Sequence, residues 1–181
     1  MTVRGEAYYT KEGRLDLCGK EITGFDEIEG LEKLTDLQYL SLDGNQIKEI
    51  KDLENLTNLK ILDLRENQIE EISGLENLKN LQELHLHGNL IKEIKGLENL
   101  VNLRILDLWY NQIVEIKGLE TLTNLLELYL GWNQIEEIKG LEQLKSLKHL
   151  FLGGNPLQED EKHLVRENVQ DVVKYCQEKA S

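Results

Sequence analysis

Two histidines and two aspartates are the residues of this chain whose types and spacing could do chemistry. His85 and His87 are two positions apart, and Asp63 and Asp107 stand twenty-two positions before and after His85. Two imidazoles with a carboxylate can bind zinc, and a histidine between two carboxylates can act as a general base. One alternative for this chain is therefore a metal-binding or enzymatic site centred on His85 and His87.

The elements that carry these side chains decide whether they can converge. If His85 and His87 lie on one strand, their backbones are about 6.6 Å apart. An open sheet also gives no closed pocket that would exclude water. We therefore expect a solvated polar row at this place, with no catalytic residue, no metal and no cofactor.

A pattern of apolar residues and asparagine recurs every twenty-two residues. One unit consists of Leu59, Leu62, Leu64, Asn67, Ile69, Ile72, Leu75 and Leu78. The same pattern starts at Leu37, Leu81, Leu103 and Leu125, and a last frame from Leu147 is cut off at Pro156. Each unit has one apolar side that it cannot bury alone, so we expect the units to stack into a solenoid.

The spacing of the leucines within a unit predicts a short strand followed by a sharp turn. Leu62 and Leu64 are expected to point inward and Ile61 and Asp63 outward, because side chains alternate along a strand. The later apolar positions, three residues apart, suit short 3₁₀ turns on a convex side, opposite a concave parallel sheet. The asparagine after each strand is expected to bond the backbone of the turn: Asn45, Asn67, Asn89, Asn111, Asn133 and Asn155.

One domain is expected over residues 1–181, with a cover at each end of the stack. An N-terminal cap is predicted over residues 1–30, where residues 11–14 form a hairpin-like loop between residues 6–10 and 15–17. The first apolar residues after that loop imitate a repeat: Leu15, Leu17, Ile22 and Phe25. The repeats themselves occupy residues 31–157.

A capping helix is predicted over residues 158–181. Its evidence is an apolar stripe at helical spacing, formed by Val165, Val169, Val172, Val173 and Cys176. The acidic residues 159–161 are expected in its first turn, where they would match the helix dipole, with Lys174 and Lys179 near its end.

The composition excludes several classes of partner. The formal net charge is −13 and the isoelectric point is about 4.8, so a phosphate backbone would be repelled and no nucleic acid is expected. No apolar run has membrane-spanning length, and the first fourteen residues lack an apolar leader, so no membrane is expected. Cys18 and Cys176 lie at opposite ends of the stack, which favours free thiols and a cytoplasmic location.

The outward positions of the predicted strands carry an unusual share of aromatic residues and histidines. Their neighbours at the leucine positions already fill the inside, so these rings are expected to face solvent and to mark a contact surface. An apolar anchor is predicted in the C-terminal half of the face, and a charged end in the N-terminal half. The predicted partner-binding residues are Tyr39, Ile61, Asp63, Arg65, His85, His87, Ile105, Asp107, Trp109, Tyr110, Tyr129, Trp132, His149 and Phe151.

The repeat, with Asn-Gln-Ile recurring nearly verbatim, resembles the 22-residue class of leucine-rich repeats. That class is known from the leucine-rich regulatory subunit of protein phosphatase 1 and from bacterial internalins. The resemblance implies an α/β fold, a right-handed solenoid that binds another protein on its concave side without catalysis. We therefore predict a non-catalytic protein-interaction module. It is expected to be a monomer, with self-association through the concave face as an alternative. A phosphatase-regulatory role and a scaffold without a dedicated partner remain further alternatives.

Overall fold

The structure is a computed structural model and describes residues 1–180. Within these residues the chain forms ten short strands and one α-helix. The strands are β1 (Thr2–Val3), β2 (Glu6–Ala7), β3 (Arg14–Asp16), β4 (Ile28–Glu29), β5 (Tyr39–Ser41), β6 (Ile61–Asp63), β7 (Glu83–His85), β8 (Ile105–Asp107), β9 (Glu127–Tyr129) and β10 (His149–Phe151). The helix is α1 (Val169–Lys179).

Seven of these strands form one parallel sheet in the order β3-β5-β6-β7-β8-β9-β10. From β5 to β10, each residue pairs with the residue one repeat further along, as Ile61 does with Glu83 and Glu83 with Ile105. The predicted parallel sheet of stacked repeats is therefore confirmed. Strand β3 joins it as well, because the residues that imitate a repeat place Leu15 opposite Leu40.

The leucines of every unit form one continuous core behind this sheet. Leu62 and Leu64 have no exposed surface, and the same holds for Leu84 and Leu86 in the next repeat. Burying a leucine side chain contributes about 1.5–3 kcal/mol, so the repeated leucines dominate the stability of the stack. This confirms the predicted inward direction of the leucines.

The opposite side of each unit is made of tight turns. In the second repeat, the Leu56 amide donates to the Leu53 carbonyl at 3.0 Å and the Leu59 amide to the Leu56 carbonyl at 2.9 Å. These bonds span three residues, which is the 3₁₀ pattern that the spacing predicts. Three segments are regular 3₁₀ helices: Phe25–Glu27, Leu31–Lys33 and Lys162–Arg166.

The asparagines that follow the strands bond the turns together, as expected. The side-chain nitrogen of Asn89 donates to the carbonyls of Leu64 and Leu86, both at 3.0 Å. Its oxygen accepts the Ile69 amide at 2.9 Å. Each such asparagine therefore satisfies buried backbone groups of its own repeat and of the preceding one.

A second asparagine ladder lies on the approach to the strands, and sequence reasoning missed it. Each of its side-chain nitrogens donates to a carbonyl of the preceding repeat, as Asn80 does to Thr57 at 2.9 Å. These asparagines are exposed and make fewer bonds than those of the first ladder. The members are Asn58, Asn80, Asn102 and Asn124.

A hairpin covers the N-terminal end, but its strands differ from the predicted ones. It consists of β1 and β2, and β1 also pairs with β4, both in antiparallel fashion. The predicted strands around residues 11–14 share only a bridge between Lys11 and Arg14. The reason is that Leu15 and Leu17 are buried in the first coil, so the backbone of β3 bonds to β5 instead.

A helix covers the C-terminal end, as predicted, but it begins at Val169 rather than near residue 158. Asn168 is its N-cap and accepts the Gln170 amide at 2.9 Å. Val172, Val173 and Cys176 of the predicted stripe are buried. Within the described residues, no helix has the length and apolar character needed to cross a membrane.

Glu161 lies before this helix and is 1% exposed. Its carboxylate accepts the Ile138 amide at 2.7 Å, the Tyr175 hydroxyl at 2.8 Å and the Lys179 ammonium at 2.9 Å. Burial opposes its ionisation, but these hydrogen bonds outweigh burial and lower the pKa of Glu161. Glu161 therefore joins the cap to the last repeat instead of lying in the first helical turn.

Candidate functional site

The parallel register places the outward side chains in rows that cross the strands. Tyr39, Ile61, Ile105 and His149 lie in the first row. Asp63, His85, Asp107, Tyr129 and Phe151 lie in the second row, two residues further along each strand. Arg65, His87 and Trp109 follow two residues after the second row, and Tyr110 and Trp132 come one residue later still. The predicted partner-binding residues thus lie on the concave face of the main sheet, with Tyr110 and Trp132 at its edge beyond the strand ends.

The rings of the C-terminal half of this face form one connected array. The rings of Tyr129 and Phe151 are stacked 4.9 Å apart, and the Trp109 ring lies 6.2 Å from that of Phe151. The rings of Tyr110 and Trp132 are stacked 5.3 Å apart, and Tyr110 also contacts Trp109 at 6.4 Å. We call these residues the aromatic surface: Trp109, Tyr110, Tyr129, Trp132 and Phe151.

The aromatic surface is additional to the core and does not replace part of it. Tyr110, Trp132 and Phe151 are 49%, 53% and 41% exposed, and Trp109 and Tyr129 are half-buried. The leucines of the same repeats are buried beneath them: Leu106, Leu108, Leu128, Leu130 and Leu152. A connected set of exposed rings on a protein with net charge −13 is therefore a surface feature that the packing of the core does not require.

Two rings of the aromatic surface lie on residues with a left-handed backbone. Tyr110 has a φ of 50° and Trp132 a φ of 54°. This conformation costs an ordinary L residue about 1–2 kcal/mol, which glycine avoids. Three other repeats have glycine at the same position, with φ between 65° and 81°: Gly44, Gly88 and Gly154. A fourth has Glu66, with a φ of 49°. The chain thus carries large rings at positions where glycine is the unstrained choice.

Glycines in the neighbouring repeat make room for both indole rings. A methyl group on Gly131 would lie 3.2 Å from Cε2 of Trp109, and one on Gly154 would lie 2.8 Å from Cδ2 of Trp132. Both distances are shorter than ordinary van der Waals contact. Each indole therefore lies flat against backbone, which fixes its position on the face.

Hydrogen bonding within the aromatic surface is incomplete. The Tyr129 hydroxyl donates to the Glu127 carboxylate at 2.6 Å, and this bond raises the pKa of Tyr129 to about 12. The indole nitrogen of Trp109 is buried and has no hydrogen-bond acceptor among residues 1–180. A buried donor without an acceptor costs about 1–3 kcal/mol, so the position of Trp109 is a second feature that does not serve stability.

The N-terminal half of the face is polar, as the sequence predicts, and one of its carboxylates is paired with an arginine of the same repeat. Arg65 holds Asp63 through two bonds, from Nε to Oδ1 at 2.9 Å and from Nη2 to Oδ2 at 2.6 Å. Asp63 is only 4% exposed as a result. Arg14 lies over the ring of Tyr39, with Cζ 3.7 Å from the ring centroid.

The register places Asp63, His85 and Asp107 side by side, but the four residues of the metal-binding or enzymatic alternative are engaged by other groups. Nε2 of His85 lies 3.3 Å from Oε2 of Glu83, and Nε2 of His87 lies 3.3 Å from Oε1 of Glu66. Asp63 is bound by Arg65, and Asp107 accepts a backbone amide. Among residues 1–180, no group of three histidines, cysteines or carboxylates is placed to hold a metal ion.

Three residues that shape this face are not in the predicted partner-binding set. Glu127 is the acceptor for Tyr129, and Gly131 and Gly154 support the indole rings. An alignment of the repeats would have revealed the glycines, because Gly131 follows Trp109 by one repeat and Gly154 follows Trp132 in the same way.

Stacked parallel strands joined by a ladder of buried asparagines are typical of solenoid repeat proteins. Comparison of the sequence with protein-family models identifies the family to which this chain belongs. The family model described as leucine-rich repeats in two copies matches residues 35–77, 57–99 and 79–121. The model described as leucine-rich repeat matches residues 101–157. The chain belongs to the leucine-rich repeat family. No curated protein matches it in sequence.

Solved structures of bacterial proteins share this fold. The internalin inlF of Listeria monocytogenes is 33% identical with a TM-score of 0.66, covering 75% of this chain and 40% of that one. A leucine-rich repeat protein of Leptospira interrogans is 38% identical with a TM-score of 0.65, covering 70% of this chain and 34% of that one. Internalin C2 of Listeria monocytogenes is 28% identical with a TM-score of 0.62, covering 81% of this chain and 74% of that one. The chain thus spans less than half the length of the first two.

Proposed function

We propose that this chain binds a protein partner on its concave face, with the aromatic surface as the anchor. The leucine-rich repeat fold is in general that of a non-catalytic protein-interaction module. The finer statement, that the rings of Trp109, Tyr110, Tyr129, Trp132 and Phe151 make the contact, is our proposal.

The observation that carries this proposal is the backbone conformation of Tyr110 and Trp132. Rings that served only to cover the sheet would gain little from a position that strains the backbone, since glycine stands there in three of the other four repeats, with Glu66 in the fourth. Strained residues that persist in a fold are concentrated at functional sites. Tryptophan and tyrosine are also the residue types enriched among the contacts that dominate protein–protein binding energy.

The competing explanation is that the rings stiffen the sheet through contacts between neighbouring strands. This explanation fits Tyr129 and Phe151, which are directly paired across β9 and β10. Tyr110 and Trp132 also stack on each other, but they lie beyond the strand ends and leave about half of their surface in water, which stiffening of the sheet does not require. Exposure of this kind supports a contact with another molecule.

The test uses a double variant, Tyr110→Gly with Trp132→Gly, which introduces the residue that three other repeats have at this position. The matched control replaces exposed apolar residues away from the aromatic surface, Val101→Ala with Val114→Ala. Each protein is immobilised, and proteins retained from a lysate of the source organism are identified by mass spectrometry.

We expect at least one protein to be retained by the wild type and the control but not by the glycine variant. Equal melting temperatures of the variants would exclude unfolding as the reason. Retention that is the same for all three proteins would contradict the assignment of the concave face.

A further inference from the structure

We infer that the protein partner presents an arginine side chain to Asp107, with its guanidinium group lying against the aromatic surface. This inference rests on the proposed function, because it names the chemistry of the partner at the same face. It is carried by a comparison of two equivalent positions in the stack, Asp63 and Asp107.

Asp63 and Asp107 occupy the same position two repeats apart, but only Asp63 has an arginine of its own. In both repeats, the carboxylate accepts the amide of the residue two positions later, at 3.2 Å for Asp63 and 3.1 Å for Asp107. That later residue is Arg65 in the first case, and its guanidinium also binds both carboxylate oxygens. For Asp107 the residue two positions later is Trp109, whose indole ring carries no charge that could pair with the carboxylate.

The Asp107 carboxylate can therefore still accept the two guanidinium hydrogen bonds that the Asp63 carboxylate already accepts from Arg65. Asp107 is half-buried, so that it can still be reached from solvent, whereas Asp63 is covered. No lysine, arginine or histidine among residues 1–180 forms an ion pair with Asp107. A partner's guanidinium would make the two-bond contact that Arg65 makes within the chain.

The surroundings of Asp107 favour a planar cation over a compact one. Trp109 follows Asp107 by two residues, just after β8, and donates its amide to the Asp107 carboxylate. Tyr129 is the direct neighbour of Asp107 on β9. Guanidinium groups stack on aromatic faces while they bind carboxylates, and lysine provides only a point charge. The chain itself shows the stacking geometry at the other end of the face, where Arg14 lies over Tyr39.

The charge of the whole face points to the same kind of partner. Glu127, beside Tyr129, likewise has no ion-pair partner among residues 1–180. The net charge of −13 attracts a cationic partner at long range and repels a second copy of this chain. Within residues 1–180, the two arginines on this face, Arg14 and Arg65, are outnumbered by its carboxylates. These are Asp16, Asp43, Asp63, Glu66, Glu83, Asp107 and Glu127.

The test selects short random peptides from a display library against the wild-type protein. We expect arginine to be enriched in the bound peptides relative to the library. A selected peptide is then synthesised with arginine, with lysine and with citrulline, which has the shape of arginine without its charge. Binding is followed by intrinsic fluorescence, because both tryptophans of the chain, Trp109 and Trp132, belong to the aromatic surface.

We expect the arginine peptide to bind at least about tenfold more tightly than the citrulline peptide, with lysine between them. The variant Asp107→Asn should remove this preference. The control Asp16→Asn should retain it, because Asp16 has the same position and accepts the Cys18 amide at 3.0 Å but pairs across the strands with Ser41 instead of an aromatic residue. Glu127→Gln provides a second test, with a smaller loss of preference expected.

The inference is overturned if the selection yields no binder, if arginine is not enriched, or if citrulline binds as well as arginine. It is also overturned if Asp107→Asn behaves like Asp16→Asn. These outcomes leave the proposed function standing wherever protein capture still depends on Tyr110 and Trp132. Capture that is independent of those two rings would instead contradict the proposed function.

Discussion

The rings of Tyr110 and Trp132 are stacked 5.3 Å apart and only 10° from parallel, although both residues have a left-handed backbone. The two residues are one repeat apart, and glycine stands at the same position in three other repeats. Replacing either ring by glycine should leave the backbone in a favourable conformation. The contribution of the rings to partner binding can therefore be tested separately from their contribution to folding.

We expect Tyr110→Gly to change the free energy of unfolding by less than about 1 kcal/mol. The variant relieves backbone strain of about 1–2 kcal/mol and loses ring contacts of about 0.5–1.5 kcal/mol, so that the two effects largely offset each other. The control Leu108→Ala in the same repeat should lose about 2–5 kcal/mol, because it opens a cavity in the core. Urea unfolding measures both values. A loss above about 2 kcal/mol for Tyr110→Gly would show that the ring is structural.

The two asparagine ladders should differ sharply in their contribution to stability. Asn89→Ala removes the partners of the Leu64 and Leu86 carbonyls and of the Ile69 amide, all buried. We expect a loss of at least about 3 kcal/mol, since each unsatisfied buried group costs about 1–3 kcal/mol. Asn80→Ala removes one exposed bond and should cost about 1 kcal/mol or less. Similar losses for the two variants in urea unfolding would contradict this prediction.

Glu161 should hold the C-terminal helix on the stack. Glu161→Ala leaves the Ile138 amide and the Tyr175 hydroxyl without their acceptor, and we expect a loss of about 2 kcal/mol. Hydrogen exchange at the Ile138 amide should become faster. The control Glu159→Ala removes an exposed carboxylate that pairs only with Lys162, so neither measurement should change. Unchanged exchange at Ile138 in Glu161→Ala would mean that the cap is held by its apolar contacts alone.

The N-terminal cap should lose stability in acid through Glu27. Hydrogen bonds from Thr23, followed by the bond from Arg4 at 2.6 Å, lower the pKa of Glu27 to about 2. A glutamate side chain in the unfolded protein has a pKa of about 4.3. Because the folded pKa is the lower one, this stabilisation is complete above the unfolded value and is lost as pH falls towards 2.

The measurement compares the wild type with Glu27→Gln in urea unfolding at several pH values. The difference in free energy of unfolding should be constant above about pH 5 and should shrink steadily below about pH 4.3. A difference that stays constant down to the lowest pH at which the protein folds would refute the role of the Glu27 charge.

The packing of the Trp109 ring against Gly131 can be tested by substituting two glycines that occupy the same position in neighbouring repeats, Gly131 and Gly153. Alanine at Gly131 would place a methyl group 3.2 Å from the indole, whereas alanine at Gly153 meets nothing within 4 Å. We expect Gly131→Ala to shift the tryptophan emission and to weaken partner binding, because the methyl group would press on both the indole and the Gly153 carbonyl oxygen, 3.1 Å away. Gly153→Ala should leave both unchanged. Identical spectra for the two variants would show that the indole is not held against Gly131.

Part of this structure could be predicted because identical units pack in identical environments. The twenty-two-residue period places Leu62, Leu84 and Leu106 in register, and all three are buried. The role of the asparagines after the strands followed from the same period. The glycine position that contains Tyr110 and Trp132 could have been found in this way too, since Gly88 is one repeat before Tyr110.

The ends of the stack were harder to predict because no repeat defines them. The acidic residues before the C-terminal helix suggested a helix start, but Glu161 is buried against Ile138 from the preceding repeat. The helix begins only after Asn168, which a capping argument could have identified. At the other end, residues 6–7 pair with residues 2–3 rather than with the chain after the loop at residues 11–14.

By itself, the sequence determined the repeat, the inward direction of the leucines and the positions at which aromatic rings face outward. A fixed period is sufficient for these features because it repeats one local environment. Only the tertiary structure decided that Tyr110 stacks on Trp132 across a strained backbone, and that Asp107 lacks the arginine that Asp63 has. These contacts depend on side-chain rotamers and on backbone dihedrals, which residue types and spacing leave open.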